Sequence, residues 1–153
     1  MNMEKFTERS RGFVQAAQTI AIREENQRVM PEHLLKALMD DEQGFASNLI
    51  SRAGGDPVAV RQAVDQAVAK QPKVSGGQGQ VYVDPSMVRV LDEAEKLAKK
   101  AGDSFVPAER LLTALAVANT NARDALTAGG VTAQALNAAI NDIRKGRTAD
   151  SAS

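Results

Sequence analysis

The chain has 153 residues, 43% hydrophobic and 25% charged, enough apolar material to build the core of one compact domain. Nineteen basic residues balance nineteen acidic ones, so the positive footprint that nucleic acid or an anionic membrane surface demands is missing. With no cysteine and a single histidine, a disulfide scaffold, thiol chemistry and a zinc site of the usual ligands are excluded, and the longest apolar run, Ala114 to Ala118, is far too short to cross a bilayer.

Met1 to Phe6 carries no apolar stretch of the signal-peptide type, and a reducing, cytoplasmic location is expected. The first helix is predicted to start at Thr7, a good N-cap, with an apolar stripe of Phe13, Val14, Ala17, Ile20 and Ala21 at three- and four-residue spacings. A short, Leu-rich second helix runs from about Pro31 to Met39 and reads as buried. The third carries Phe45, Leu49 and Ile50 and stops at Gly54-Gly55, suited to a left-handed C-terminal turn. The fourth opens with the cap pair Asp56-Pro57 and reaches about Lys70.

Residues 71–83 form a Gly-rich, polar connector, in which Val81-Tyr82-Val83 could pair as a short strand. Beyond it the pattern returns. Displaced by 77 positions, Ala17 meets Ala94, Val29 meets Val106, and the run from Glu32 to Leu38 lies over Glu109 to Leu115. The second half therefore repeats the first: N-cap Asp84 followed by Pro85; a stripe of Val90, Leu91, Ala94, Leu97 and Ala98; a buried helix from Pro107 to Ala118; a third helix with Ala122 and Leu126 ending at Gly129-Gly130; and a fourth opening at Val131-Thr132 and reaching about Lys145. The predicted fold is all-α, an eight-helix bundle of two pseudo-symmetric four-helix repeats, about 6–70 and about 84–146. The domain is expected to end at 147, with 148–153, which hold no apolar residue larger than Ala, starting a disordered linker.

Catalytic chemistry has few candidates. His33 is the only imidazole, and its place just after Pro31 suggests a structural residue bonding the adjoining turn; Arg110 stands at its counterpart. Asp40-Asp41-Glu42 lacks the alternating spacing and glycine of a calcium loop and reads as a solvated turn. Ser75 to Gly79 cannot be a phosphate loop of the Walker A type, because no Gly-Lys-Ser/Thr follows, and Ser75 has no neighbouring base. Glu32 and Glu109 occupy identical places near the starts of the second helices. They are read either as helix caps or as a pair of anionic recognition points for a cationic or amide-rich ligand.

Thr7-Glu-Arg-Ser-Arg, the Ala17 to Ala21 stripe, Glu32-His33-Leu34-Leu35, Ala53-Gly-Gly, Lys73-Val74, Val88-Arg-Val-Leu91 and Ala101-Gly-Asp-Ser-Phe105-Val106 together resemble the N-terminal domain of Clp-type AAA-plus unfoldases, closest to the bacterial disaggregase branch. The resemblance covers the chain from Phe6 to Arg147. It implies a chaperone's substrate-binding module acting in protein unfolding, disaggregation and the stress response, joined to a hexamer of ATPase rings that bind ATP and magnesium and collaborate with the DnaK system. None of that machinery lies in this chain, so no cofactor, no metal and no enzymatic activity of its own are expected, and the isolated domain is expected to be monomeric. By the same resemblance Thr7, Asp103 and Glu109 match positions tied to chaperone activity, and Leu91, on the exposed side of the fifth helix, joins Val88 and Phe105 in an apolar groove for unfolded or aggregated polypeptides. Glu93 and Arg110 stand where relatives can have leucine, which makes the groove more polar. The alternative is a protease-linked Clp unfoldase whose Glu32 and Glu109 recognise adaptors or phosphorylated arginine; Pro31, where relatives often have Thr, departs from that pattern.

Overall fold

The computed structural model describes residues 2–75 and 79–153; Gly76, Gly77 and Gln78, the centre of the Gly-rich stretch, lie outside the described residues. Among those described, eight helices and two two-residue strands follow in the order α1 (Glu8–Arg23), β1 (Arg28–Val29), α2 (Pro31–Met39), α3 (Phe45–Arg52), α4 (Pro57–Ala69), β2 (Tyr82–Val83), α5 (Pro85–Lys100), α6 (Ala108–Val117), α7 (Asn121–Ala128) and α8 (Ala133–Arg144). Five of the eight helix starts are capped by a side chain. Thr7, Asp56, Asp84, Thr120 and Thr132 all accept a first-turn backbone N–H through their side chains, and Pro57 and Pro85 fill first-turn positions where an N–H would have no partner.

α2 and α6 are buried on nearly every side and form the centre of the bundle, with Leu34, Leu35, Leu38, Leu111, Leu112 and Leu115 fully buried. α1 packs on α2 and α5 on α6 through Ala17, Ala21, Ala94 and Ala98, whose small side chains let the helix axes approach closely. The halves interleave as well: α4 lies against α7 and α3 against α8.

The members of each glycine pair have different tasks. Gly54 and Gly130 adopt left-handed φ of 85° and 74° and close the ends of α3 and α7. Gly55 and Gly129 let the halves touch. A Cβ at Gly129 would stand 2.3 Å from a Val60 methyl and 3.0 Å from the Asp56 carbonyl, and one at Gly55 would stand 2.5 Å from a Val131 methyl. At this contact the Asp56 N–H donates to the Gly129 carbonyl at 2.8 Å.

Two short parallel pairings also cross between the halves. β1 pairs with β2 in the register Arg28 to Tyr82 and Val29 to Val83, so the strand expected near Val81 to Val83 exists, and its partner is a segment in which no strand was expected. At the symmetry-related place, Phe6 pairs with Val106. Each half thus pins the segment that precedes the other half's first helix.

Residues 148–153, expected to start a disordered linker, lie against the domain. The chain turns through Lys145 (φ 48°) and Gly146 (φ 87°), and residues 149–152 then run back across the corner between α5 and α6.

Candidate functional site

The corner between α5 and α6, residues 101–107, gathers four of the predicted site residues. Thr7 reaches it through backbone and cap. Its N–H donates to the Val106 carbonyl at 3.1 Å, its Oγ1 accepts the Ser10 N–H at 3.1 Å and donates to Ser10 Oγ, and Ser10 Oγ in turn donates to the Val106 carbonyl at 2.8 Å. The Thr7 hydroxyl is therefore committed to joining α1 to the corner.

Asp103 is the electrostatic centre of the corner. Its side chain is fully buried and accepts from Arg144 Nη2 (2.5 Å) and the Ala149 N–H (2.8 Å) on Oδ1, and from Arg144 Nη1 (3.0 Å) and Arg110 Nε (3.3 Å) on Oδ2. Burial by itself raises the pKa of this carboxyl. The bonds from Arg144, the Ala149 amide and Arg110 outweigh burial, and the pKa is held below its ordinary value. Asp103 thus binds guanidinium groups, not the free amides of the sixth helix.

Arg110, expected to make a groove more polar, is itself buried. Its Nη1 donates to Asn137 Oδ1 at 3.1 Å, so its charge is spent inside the fold. Glu109 is half-buried, 4.0 Å from Arg144 Nε, and its side chain accepts no backbone N–H among the described residues, so it does not cap α6.

A groove of about 430 Å³ opens beside this corner, between α5 and the loop, lined by Ala98, Phe105 and Val106 with Lys5, Lys96 and Glu95 among its charged walls. Phe105 is half-buried at its edge. Val88, also half-buried, lies one helical turn before Asp92, another lining residue. Leu91 is not part of the groove. Only 3% exposed, it belongs to the core stripe with Met87, Val90, Ala94 and Ala98, because the face of α5 that carries it is covered by α6. Glu93 is half-buried.

The other half repeats the corner with neutral groups. His33 is fully buried; its Nδ1 accepts the Met30 N–H at 2.8 Å and its Nε2 lies 2.8 Å from Asn26 Oδ1, which fixes the neutral tautomer with the proton on Nε2. Burial lowers its pKa to about 4, with Glu24 pulling weakly the other way. This bears out the structural reading of His33. Asn26 Nδ2 then donates to the Pro72 carbonyl at 3.2 Å, tying down the connector.

Glu32 is fully buried rather than presented to a ligand. Its Oε2 accepts from Gln71 Nε2 and from Asn121 Nδ2 (3.3 Å), linking connector and α7, and its Oε1 has no partner among the described residues. Glu32 and Glu109 are therefore neither equivalent nor caps. The turn Asp40-Asp41 is engaged in ion pairs to Arg61 (2.8 Å) and Arg9 (3.2 Å). Among the described residues no three metal-ligating side chains converge, and no helix is long and apolar enough to cross a membrane.

The sequence reading missed Arg144 and Ala149. The repeat offset carried the signal for the latter: it places Pro72 over Ala149, just as it places Asn26 over Asp103 and His33 over Arg110.

The chain is 58% identical over 154 residues to the chaperone protein ClpB of Rhodopseudomonas palustris, a match covering 99% of this chain and 18% of the relative, so the chain spans about a fifth of the length of the curated relatives it matches. Its fold is similar to the crystal structure of the Hsp104 N-terminal domain from Candida albicans, with a TM-score of 0.85 and 21% identity over 97% of both chains. It is also similar to a ClpV N-domain solved in complex with a VipB peptide, with a TM-score of 0.71 and 19% identity over 97% of this chain and 92% of the other. Residues 5–129 match the Clp repeat (R) N-terminal domain, and the chain belongs to that family, as a region like the N-terminal part of ClpB.

Proposed function

We propose that this chain is the substrate-contacting module of a cytoplasmic, ATP-driven disaggregase, working beside hexameric ATPase rings and the DnaK system in the stress response. Exposed segments of unfolded or aggregated polypeptides bind at the groove beside the α5–α6 corner, where the half-buried Phe105 supplies apolar contact and the loop supplies main-chain donors. The observation that carries this reading is the groove itself: the half-buried Phe105 ring at the mouth of an ion-paired corner, in a chain that is similar to part of ClpB over 99% of its own length. The ClpV N-domain that binds a VipB peptide on the same fold supports peptide recognition as a use of this architecture. The paired-carboxylate reading has no such support, because Glu32 is inside the protein.

Affinity is expected to be low. One or two apolar side chains buried at Phe105 contribute roughly 1.5–3 kcal/mol each, a few hydrogen bonds about 1 kcal/mol each, and association removes at least about 4 kcal/mol. The balance corresponds to a Kd of tens of micromolar or weaker, which suits a tethered module that must release its cargo. The test is an NMR titration with a permanently unfolded protein. Shifts are expected at Ser104, Phe105 and Lys96 and are expected to vanish in Phe105→Ser; shifts elsewhere, or shifts indifferent to that substitution, overturn the assignment.

A further inference from the structure

We propose that residues 148–152 act as an intramolecular strap that occupies the Ser104 and Phe105 N–H groups at the edge of the groove, the donors an incoming polypeptide uses, so that strap docking and substrate binding exclude one another. The proposal rests on the groove reading above and adds its regulation.

The strap is held almost entirely by its main chain. The Ala149 carbonyl accepts from the Ser104 N–H (2.8 Å) and the Phe105 N–H (2.9 Å), the Ala149 N–H donates to Asp103 Oδ1 (2.8 Å), and the Ala152 carbonyl accepts from the Glu8 N–H (2.6 Å). Among the described residues, the one bond that a strap side chain makes to the corner is from Ser104 Oγ to Asp150 Oδ1, at a long 3.3 Å. A slot that grips carbonyl and amide groups and ignores side chains is satisfied by any extended polypeptide. Its donors are otherwise without backbone partners: Glu8 is the first residue of α1, where an N–H has no intrahelical acceptor.

The first half shows that the slot is a built feature. There the connector takes the strap's place: Asn26 Nδ2 donates to the Pro72 carbonyl as Asp103 accepts from Ala149, and the Val74 N–H donates to the Glu25 carbonyl at 2.8 Å. That occupant is gripped further by the Lys73 ammonium, which donates to the Glu24 carbonyl at 2.9 Å, and by the antiparallel bridge from Lys73 to Asn26. Among the described residues the strap has no comparable side-chain anchor on the corner. Undocking it also leaves the buried charge of Asp103 satisfied, because Arg110 and Arg144 remain in place. The second slot is therefore the exchangeable one.

The test uses the 153-residue chain and its Ala149→Pro variant, which lacks the N–H given to Asp103 and lies outside every helix. Hydrogen exchange is expected to show protected Glu8, Ser104 and Phe105 amides in the parent chain and faster exchange in the variant. Reduced, carboxymethylated lactalbumin, a permanently unfolded probe, is expected to bind the variant about five- to tenfold more tightly, the factor by which a mostly docked competitor lowers apparent affinity. A synthetic peptide of residues 147–153 is expected to compete for the variant's slot. Equal affinity of parent and variant for the unfolded probe, with the Ser104 and Phe105 shifts of the groove intact in both, overturns the strap alone. Release of the amides with no binding of the probe to either chain overturns the groove reading and the competition together.

Discussion

The two halves of this domain solve the same structural problem with different chemistry. In the first, Asn26 and His33 meet seven residues apart at the α1–α2 corner; in the second, Asp103 and Arg110 meet seven residues apart at the α5–α6 corner. Both pairs hold their corner from inside and both capture a returning segment, through Pro72 in one case and Ala149 in the other. The neutral pair closes on itself, since one imidazole nitrogen accepts and the other donates. The ionic pair does not. A buried carboxylate has more acceptor sites than one guanidinium fills, and Arg144 with the Ala149 amide supplies the rest. The second corner therefore holds its returning segment by a carboxylate that two guanidinium groups also satisfy.

Deleting one partner from each pair gives the largest contrast. Asp103→Ala strands the buried Arg110 guanidinium and is expected to cost about 3–5 kcal/mol of unfolding free energy, whereas Asn26→Ala leaves one imidazole N–H unpaired and is expected to cost about 1–3 kcal/mol. Urea midpoints of the two variants check this order, and equal losses would mean that Arg110 finds another partner.

Acid separates the corners next. The folded pKa of His33, about 4, lies below its ordinary 6.5, so the neutral ring stabilises the fold fully above pH 6.5 and that contribution is lost as pH falls through about 4. The full loss amounts to about 3 kcal/mol. The Asp103 pKa is also lowered, so its contribution is intact above 3.8 and fades only below it. Unfolding free energies measured from pH 7 to 4.5 should therefore decline in the parent chain and stay nearly flat in His33→Asn.

The smallest effect concerns the turn just before each pair. Glu25 adopts φ 59° where its counterpart Gly102 has φ 83°. A left-handed non-glycine residue costs roughly 1–2 kcal/mol, partly offset by the chain entropy a glycine loses on folding, roughly 0.5–1 kcal/mol. Glu25→Gly is expected to raise stability by up to about 1 kcal/mol, visible as a higher thermal midpoint.

Much of the architecture was legible along the chain. The caps Thr7, Asp56, Asp84 and Thr132, the glycine pairs, the alanine stripes and the 77-residue repeat are local or periodic signals, and the helices fall where those signals put them. The structural role of His33 was legible too, from its position at a helix start. The candidate site was legible only in part: Thr7, Asp103, Phe105 and Glu109 do converge on one corner, but as cap, ion-pair centre, groove edge and partner of Arg144 rather than as four equivalent contacts.

What the sequence determined by itself is what depends on neighbours a few residues away: where helices begin and end, which face of each is apolar, and that one unit occurs twice. Tertiary structure decided which of those faces are covered. Leu91 and Glu32 sit on helices whose patterns allow either exposure or burial; α6 covers the first, and Asn121 of α7 with Gln71 of the connector encloses the second. The fate of residues 148–152 was likewise beyond local reading. Their small, polar side chains offer no hydrophobic drive to fold, and what holds them is their backbone, hydrogen-bonded to amides that only the packed corner and the start of α1 leave free.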